Sequence, residues 1–260
     1  TIPSVNPRYL MNPPSATSAS PRLLLIETSG KRGQVGLALG EALLQQAELN
    51  PDQRNARDLM PTIAHLCFAQ GWKPVDLEGV VVSAGPGSYT GLRVGMMTAK
   101  TLAYARQIPL FTIPTHEAIA WHACQLQPGL PRLDVLSDAQ QNRLYLQRFS
   151  MAPPTLQEEK ATRLQAGPLE LLTVSRWRET LQAGTGVTGP ALSRQAATLS
   201  AELPAGVQLL PEAAWHPELS GLAALGLACY RANHQADVLA VEPIYLRASS
   251  AEEQWAALGK

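Results

Sequence analysis

The stretch of this chain best able to do chemistry is Gly85-Pro86-Gly87-Ser88-Tyr89-Thr90-Gly91-Leu92-Arg93. Its glycines permit unusual backbone angles and let other groups come close. Ser88 and Thr90 place hydroxyls where a helix should begin, and the unpaired N–H groups and dipole of a helix start favour an anion. Phosphate contact is one reading. An ordinary capped turn, with Ser or Thr as N-cap, is the other. The segment is neither a Walker A loop nor a GxGxxG fingerprint, because the lysine and the glycine spacing are absent.

Other reactive side chains form weaker patterns. His116 and His122 sit six residues apart, about 600° of helical rotation, so they point to different faces and cannot share a metal. A helical histidine of this kind is expected to be a surface or capped residue. Asp134 and Asp138 share one face of a strand but lie roughly 13 Å apart along it, too far to act on one substrate. Solvated strand ends are expected there. Cys67, Cys124 and Cys229 have no CxxC or zinc spacing, so buried reduced thiols are expected. Serine, histidine and aspartate are all present, but nothing resembles a nucleophile elbow.

These residues need elements to hold them. Leu23-Leu24-Leu25-Ile26 is a continuous apolar run, as in a strand buried on both faces, and it ends in the polar turn Glu27-Thr28-Ser29-Gly30. Short strands follow near Gln34–Leu39 and Ala42–Glu48, with Gly40-Glu41 as hairpin turn. The spacing of Leu59, Ile63, Leu66 and of Met60, Ala64, Cys67 predicts a helix over 55–70, with an apolar arc wider than one core-facing stripe needs and a bend at Pro61. Gly79–Ser83 reads as a buried strand, Leu92–Arg106 as a long helix, Leu110–Ile113 as a strand, and a helix starts at Thr115. Pro128-Gly129-Leu130-Pro131 marks a domain junction. Beyond it, strands are expected at Leu133–Ser137, Leu144–Phe149 and Leu156–Arg163, then helices near Pro168–Gln182, Pro190–Ser200 and Leu219–Asn233. The order indicates an α/β fold of two similar halves. Residues 1–21 form a Pro/Ser-rich flexible tail, 22–127 the first subdomain, 132–250 the second and 251–260 a further tail.

The helix after the glycine turn carries small residues at Gly91, Gly95, Ala99 and Ala103, one per turn. Such a stripe lets another helix, or the chain's own sheet, come close. With the wide apolar arc of 55–70, we assign it to a helical interface with another subunit. The 260 residues are 45% apolar and only 16% charged, with 21 basic and 21 acidic residues. No global basic field exists to gather nucleic acid unaided. Low charge suits a surface partly hidden against a partner. No apolar run approaches the roughly 18 residues that span a bilayer, and the start shows neither a hydrophobic core nor a cleavage pattern of a signal peptide. A cytoplasmic location is expected.

The segment 85–93 resembles the GPGS(F/Y)TG(L/V)R signature of the TsaB (YeaZ) family, and the resemblance runs from Leu23 to about Arg247. Leu25-Ile26-Glu27-Thr28-Ser29 is similar to the family's opening strand, A-I-D-T-S, with Glu27 where Asp is usual. Ile108-Pro109-Leu110 and Pro243-Ile244-Tyr245-Leu246-Arg247 resemble its I-P and P-V-Y-L-R segments, while roughly 155–210 matches poorly. The resemblance implies two actin-like subdomains, of the actin/Hsp70/sugar-kinase type with mixed sheets, facing a cleft. On that basis Glu27, Thr28, Ser29, Gly85, Gly87, Ser88 and Thr90 are the candidate nucleotide- or phosphate-binding residues. Met60, Ile63, Gly91, Arg93, Gly95, Met96, Ala99 and Ala103 are the candidate interface.

Comparison with TsaD, the catalytic paralogue, puts Thr115 and Ile119 where a metal-binding His-x-x-x-His would stand, and neither binds metal as imidazole does. Asn55 stands where the family often shows His, and Gly184-Thr185-Gly186 where relatives often carry an acid. What the resemblance implies is a partner or scaffold subunit without catalytic or metal residues of its own. It would serve a TsaD-like enzyme, with a TsaE-like ATPase, in threonylcarbamoyladenosine modification of tRNA. The tRNA would be met only through that complex, and ATP or ADP would sit at the partner interface, with no cofactor required by this chain. A homodimer through the same helices is the alternative assembly. A metallopeptidase-like hydrolase and a stand-alone nucleotide-binding module of this fold are the rival functions.

Overall fold

The computed structural model describes residues 19–50, 55–152, 163–201 and 203–245. The first half runs β1 (Arg22–Glu27), β2 (Gln34–Leu39), β3 (Ala42–Glu48), α1 (Asn55–Gln70), β4 (Gly79–Gly85), α2 (Tyr89–Arg106), β5 (Leu110–Pro114) and α3 (Thr115–Leu126). The second runs β6 (Arg132–Asp138), β7 (Arg143–Ala152), β8 (Arg163–Thr173), α4 (Val174–Glu179), β9 (Thr185–Thr188), α5 (Leu192–Ser200), β10 (Gln208–Leu209) and α6 (Leu219–Arg231).

The strands form two five-stranded sheets, ordered β3-β2-β1-β4-β5 and β10-β9-β6-β7-β8. Each holds an antiparallel three-strand meander, β1–β3 or β6–β8, followed by two parallel strands on the inner side of the first. The repeated order is that of two actin-like units, as the resemblance implied. The hairpin turn expected at Gly40-Glu41 is present, and Gly40 takes φ 62°, a left-handed value that glycine adopts without strain.

Burial follows from the run of apolar residues. Leu23, Leu24, Leu25 and Ile26 are fully enclosed because successive side chains point to opposite faces and both faces are covered. On one face α1 and α2 pack against Leu24, Ile26, Val80 and Val82. On the other, Leu23, Leu25 and Val81 meet Leu219, Leu222 and Ala223 of α6 and Ala118 of α3. Helix α3 also reaches the second sheet, where Ile119, Ala120 and Ala123 pack on Leu133, Val135 and Phe149. The outer face of that sheet is closed by α4 and α5 around Trp177 and Leu192. The molecule is therefore five layers deep, with α3 and α6 between the sheets. The C-terminal helix α6 thus belongs to the first sheet although it follows the second in sequence.

Two expectations fail in the second half. Pro168–Thr173 is strand, not helix, and the helix shrinks to Val174–Glu179. Antiparallel pairing with β7 supplies hydrogen bonds along β8 that local propensity could not anticipate. Thr185–Thr188, between the helices expected near Pro168–Gln182 and Pro190–Ser200, is a fully buried strand beside β6. Asp134 is not a solvated strand end: it is 4% exposed. Most of the strand expected at 156–163, and the tails 1–18 and 246–260, lie outside the described residues. No helix among the described residues is long and apolar enough to cross a membrane.

Candidate functional site

Two turns meet at the upper edge of the first sheet, and both come from the polar ends of buried strands. The turn after β1 supplies Glu27, Thr28 and Ser29, all buried. The turn after β4 supplies Gly85 to Thr90, of which Gly87, Ser88 and Thr90 are exposed. The Ser88 N–H donates to the Ser29 carbonyl at 2.6 Å. A Cβ at position 87 would stand 2.4 Å from that same carbonyl oxygen, and one at 91 would stand 2.0 Å from the Thr28 carbonyl oxygen. The glycines are there because backbone lies against backbone. Ser88 is the N-cap of α2, and its Oγ accepts from the Gly91 N–H at 3.2 Å. The structure brings the two turns that carry the seven candidate residues together, but two of the N–H groups that an anion would use are engaged within the chain.

Glu27 forms the floor of this junction. Its Oε1 accepts from the Ser29 N–H at 2.6 Å and from the Ser29 Oγ–H at 2.5 Å. Burial pushes its carboxyl above the ordinary range, against the lowering effect of the bonds from Ser29.

The C-terminal segment returns to the same edge. Lys100 Nζ donates to the carbonyls of Leu239 and Val241, and the Ile244 N–H donates to the Ala84 carbonyl at 2.7 Å. Tyr245 then lies 4.9 Å from Tyr89 between ring centroids, and Arg93 Nε donates to Tyr245 Oη at 3.3 Å. The Arg93 guanidinium also stacks 4.2 Å from the Tyr89 ring centre, a cation–π arrangement. Two motifs over 150 positions apart by this 152-residue separation become one exposed rim.

The interface assignment needs correction. Gly91, Gly95, Met96, Ala99 and Ala103 are buried in the chain's own core, and so is Ile63. The stripe lets α2 settle on its own sheet: a Cβ at 95 would stand 2.1 Å from Thr28 Oγ1. Only Met60 and Arg93 of the eight are exposed. The outward face instead carries Phe68 at 85%, Met97 at 60% and Met60 and Tyr104 at 45% exposure. Phe68 is two turns beyond Met60 and one beyond Ala64, so the helical spacing of 55–70 already contained it. The side chain of Asn55 lies outside the described residues.

The histidines are held apart. His116 is fully buried rather than on the surface, with Nε2 2.8 Å from Ser137 Oγ of β6, and burial lowers its pKa to about 3. His122 donates from Nε2 to the Ala213 carbonyl at 3.2 Å. No group of three or more His, Cys, Asp or Glu among the described residues could hold a metal ion. Cys67, Cys124 and Cys229 are not in disulfides, and burial raises each thiol, that of Cys124 to about 11.

Comparison with known proteins agrees with this architecture. Residues 43–255 match the family model described as TsaD, tRNA N6-adenosine threonylcarbamoyltransferase. The tRNA threonylcarbamoyladenosine biosynthesis protein TsaB of Bacillus subtilis is 26% identical over 244 residues, spanning 90% of this chain and 97% of that protein. The Escherichia coli protein of the same name is 27% identical over 124 residues, 48% of this chain and 53% of its own length. The solved structure of YeaZ from Pseudomonas aeruginosa superposes with a TM-score of 0.70 at 20% identity, covering 87% of this chain and all, 100%, of that one.

Proposed function

Because this chain belongs to the TsaD family, in its TsaB (YeaZ) branch, we propose that it serves tRNA threonylcarbamoyladenosine biosynthesis as a partner subunit of a TsaD-type enzyme. The observation that carries the subunit role is the exposed apolar face of α1 and α2. Phe68, Met97, Met60 and Tyr104 stand outward on two adjoining helices. Clustered exposed aromatic and methionine side chains are the composition of an interface core rather than of a free surface. Their flexible or flat shapes fill uneven gaps against a facing helix.

In this reading the chain contributes rigidity and shape. The glycine turn fastens α2 to the β1 end, so the docking face is held by the buried core of the first sheet. The catalytic metal and the tRNA belong to the partner, consistent with a zero formal net charge here. A TsaE-type ATPase would join the same cytoplasmic assembly, with ATP or ADP bound where subunits meet. The hydrolase reading gains nothing from the geometry, since His116 is taken by Ser137 and His122 by a backbone carbonyl.

The test is reconstitution with the TsaD protein of the same genome. Co-elution as a complex, and stimulation of threonylcarbamoyl transfer to tRNA that Phe68→Ala with Met97→Ala reduces, is the expected result. Full transfer by this chain alone, or unaltered stimulation by the double variant, overturns the proposal.

A further inference from the structure

A second site lies far from the glycine turn, on the outer face of the second sheet. That face changes character along its length. Its upper half, with Leu136, Leu144, Leu146 and Val187, is sealed by Trp177 of α4 and by α5. Its lower half is polar in register: Asp134 faces Arg148, Arg132 faces Ser150 and Thr185, and Ser150 faces Gln165. These six residues line a cavity of about 270 Å³. Of these, Asp134 and Thr185 are buried; buried polar side chains are expensive unless bonded or used, and such local exceptions tend to mark sites.

The groups are held in place. Asp134, 4% exposed, accepts from Trp177 Nε1 at 2.9 Å through Oδ2, and its Oδ1 lies 3.8 Å from Arg148 Nε. Arg148 is steadied by Thr180, which donates in turn to the Trp177 carbonyl at 2.7 Å, and by Glu170 at 3.4 Å. Burial raises the Asp134 carboxyl above its ordinary range, against the lowering effect of the Trp177 bond and of Arg148. The cavity wall therefore presents two guanidinium groups, one recessed acid and several amide and hydroxyl groups.

We propose that this cavity binds a small organic anion, with Arg132 and Arg148 on its carboxylate or phosphate head and Asp134 accepting from a neighbouring hydroxyl or amino group. Planar guanidinium groups favour such heads through paired, charge-assisted bonds. The volume suits a molecule of amino-acid size.

The test is ¹H–¹⁵N NMR of the full chain titrated separately with L-serine, acetate and inorganic phosphate, against sodium chloride at matched ionic strength. The expected result is saturable shifts at the amides of Gly167 and Thr185, with L-serine stronger than acetate if the head is a carboxylate, and phosphate strongest if it is a phosphate. Arg132→Ala, at an exposed position, should keep the fold and weaken binding about tenfold or more. Shifts matched by sodium chloride, unchanged in Arg132→Ala, or absent with all three probes overturn the proposal.

Discussion

The α-carbon of Gly91 faces the carbonyl oxygen of Thr28 so closely that a Cβ there would lie 2.0 Å from it. Gly95, one turn on, faces the Thr28 side chain instead, at 2.1 Å from Oγ1. One residue at the end of β1 thus sets the position of α2, by backbone at one turn and by side chain at the next.

The two contacts should respond differently to alanine. Gly91→Ala meets backbone and should lose about 3 kcal/mol, lowering Tm by roughly 6–12 °C. Gly95→Ala should be milder, and adding Thr28→Ala should restore much of its loss, because Thr28 Oγ1 is buried and makes no hydrogen bond. Thr28→Ala should not rescue Gly91→Ala. Calorimetric melting of the four variants checks this, and equal rescue of both would refute the backbone assignment.

The outward and inward faces of α2 should separate binding from folding. Ala99 is wholly buried, so Ala99→Arg should destabilise the free chain by about 3 kcal/mol or more, through overpacking and charge burial. Phe68→Ala should leave Tm within a few degrees, since its ring is in water. It should weaken association with the proposed TsaD-type partner by about 2 kcal/mol, roughly thirtyfold in Kd. Circular dichroism melting beside analytical size exclusion reads both effects.

His116 should make the protein acid-sensitive. Its folded pKa of about 3 lies below the ordinary imidazole value of about 6.5, so the unfolded chain binds the extra proton between those values. Stability contributed by the neutral ring is complete above about pH 6.5 and falls below it by up to about 1.4 kcal/mol per pH unit. Replacing His116 with Asn should flatten that part of the profile. Urea unfolding at pH 7, 6 and 5 measures the slope, and a variant as steep as the parent would show that other groups set it.

The thiols should be inert in the native state. Cys124 is raised to about 11 and burial also raises Cys67 and Cys229, so thiolate is scarce at pH 8. Reaction with a thiol-specific reagent should be slow in buffer and should reach 3 groups, the full cysteine count, only in denaturant. Rapid native labelling of Cys124 would contradict its burial.

Much of this molecule was legible in the chain itself. Continuous apolar runs at Leu23–Ile26 and Gly79–Ser83 announced strands covered on both faces, and the glycine-rich turn announced a close approach at a helix start. Those signals are local: a two-residue or 3.6-residue period, or a glycine where no Cβ fits, is written into neighbouring positions. What the turn approaches was not. The carbonyls of Thr28 and Ser29 lie some sixty positions away in sequence, and the small stripe of α2 looks the same facing a sheet or a partner. Strand pairing decided that, and it also turned 168–173 into β8 and set Asp134 beneath Arg148. The burial of His116 required α3 to lie between two sheets, and Tyr245 met Arg93 only because the chain returned along α2. Sequence determined which faces were apolar, whereas tertiary structure decided what each face met, because side-chain type records a preference for burial but not the identity of the neighbour.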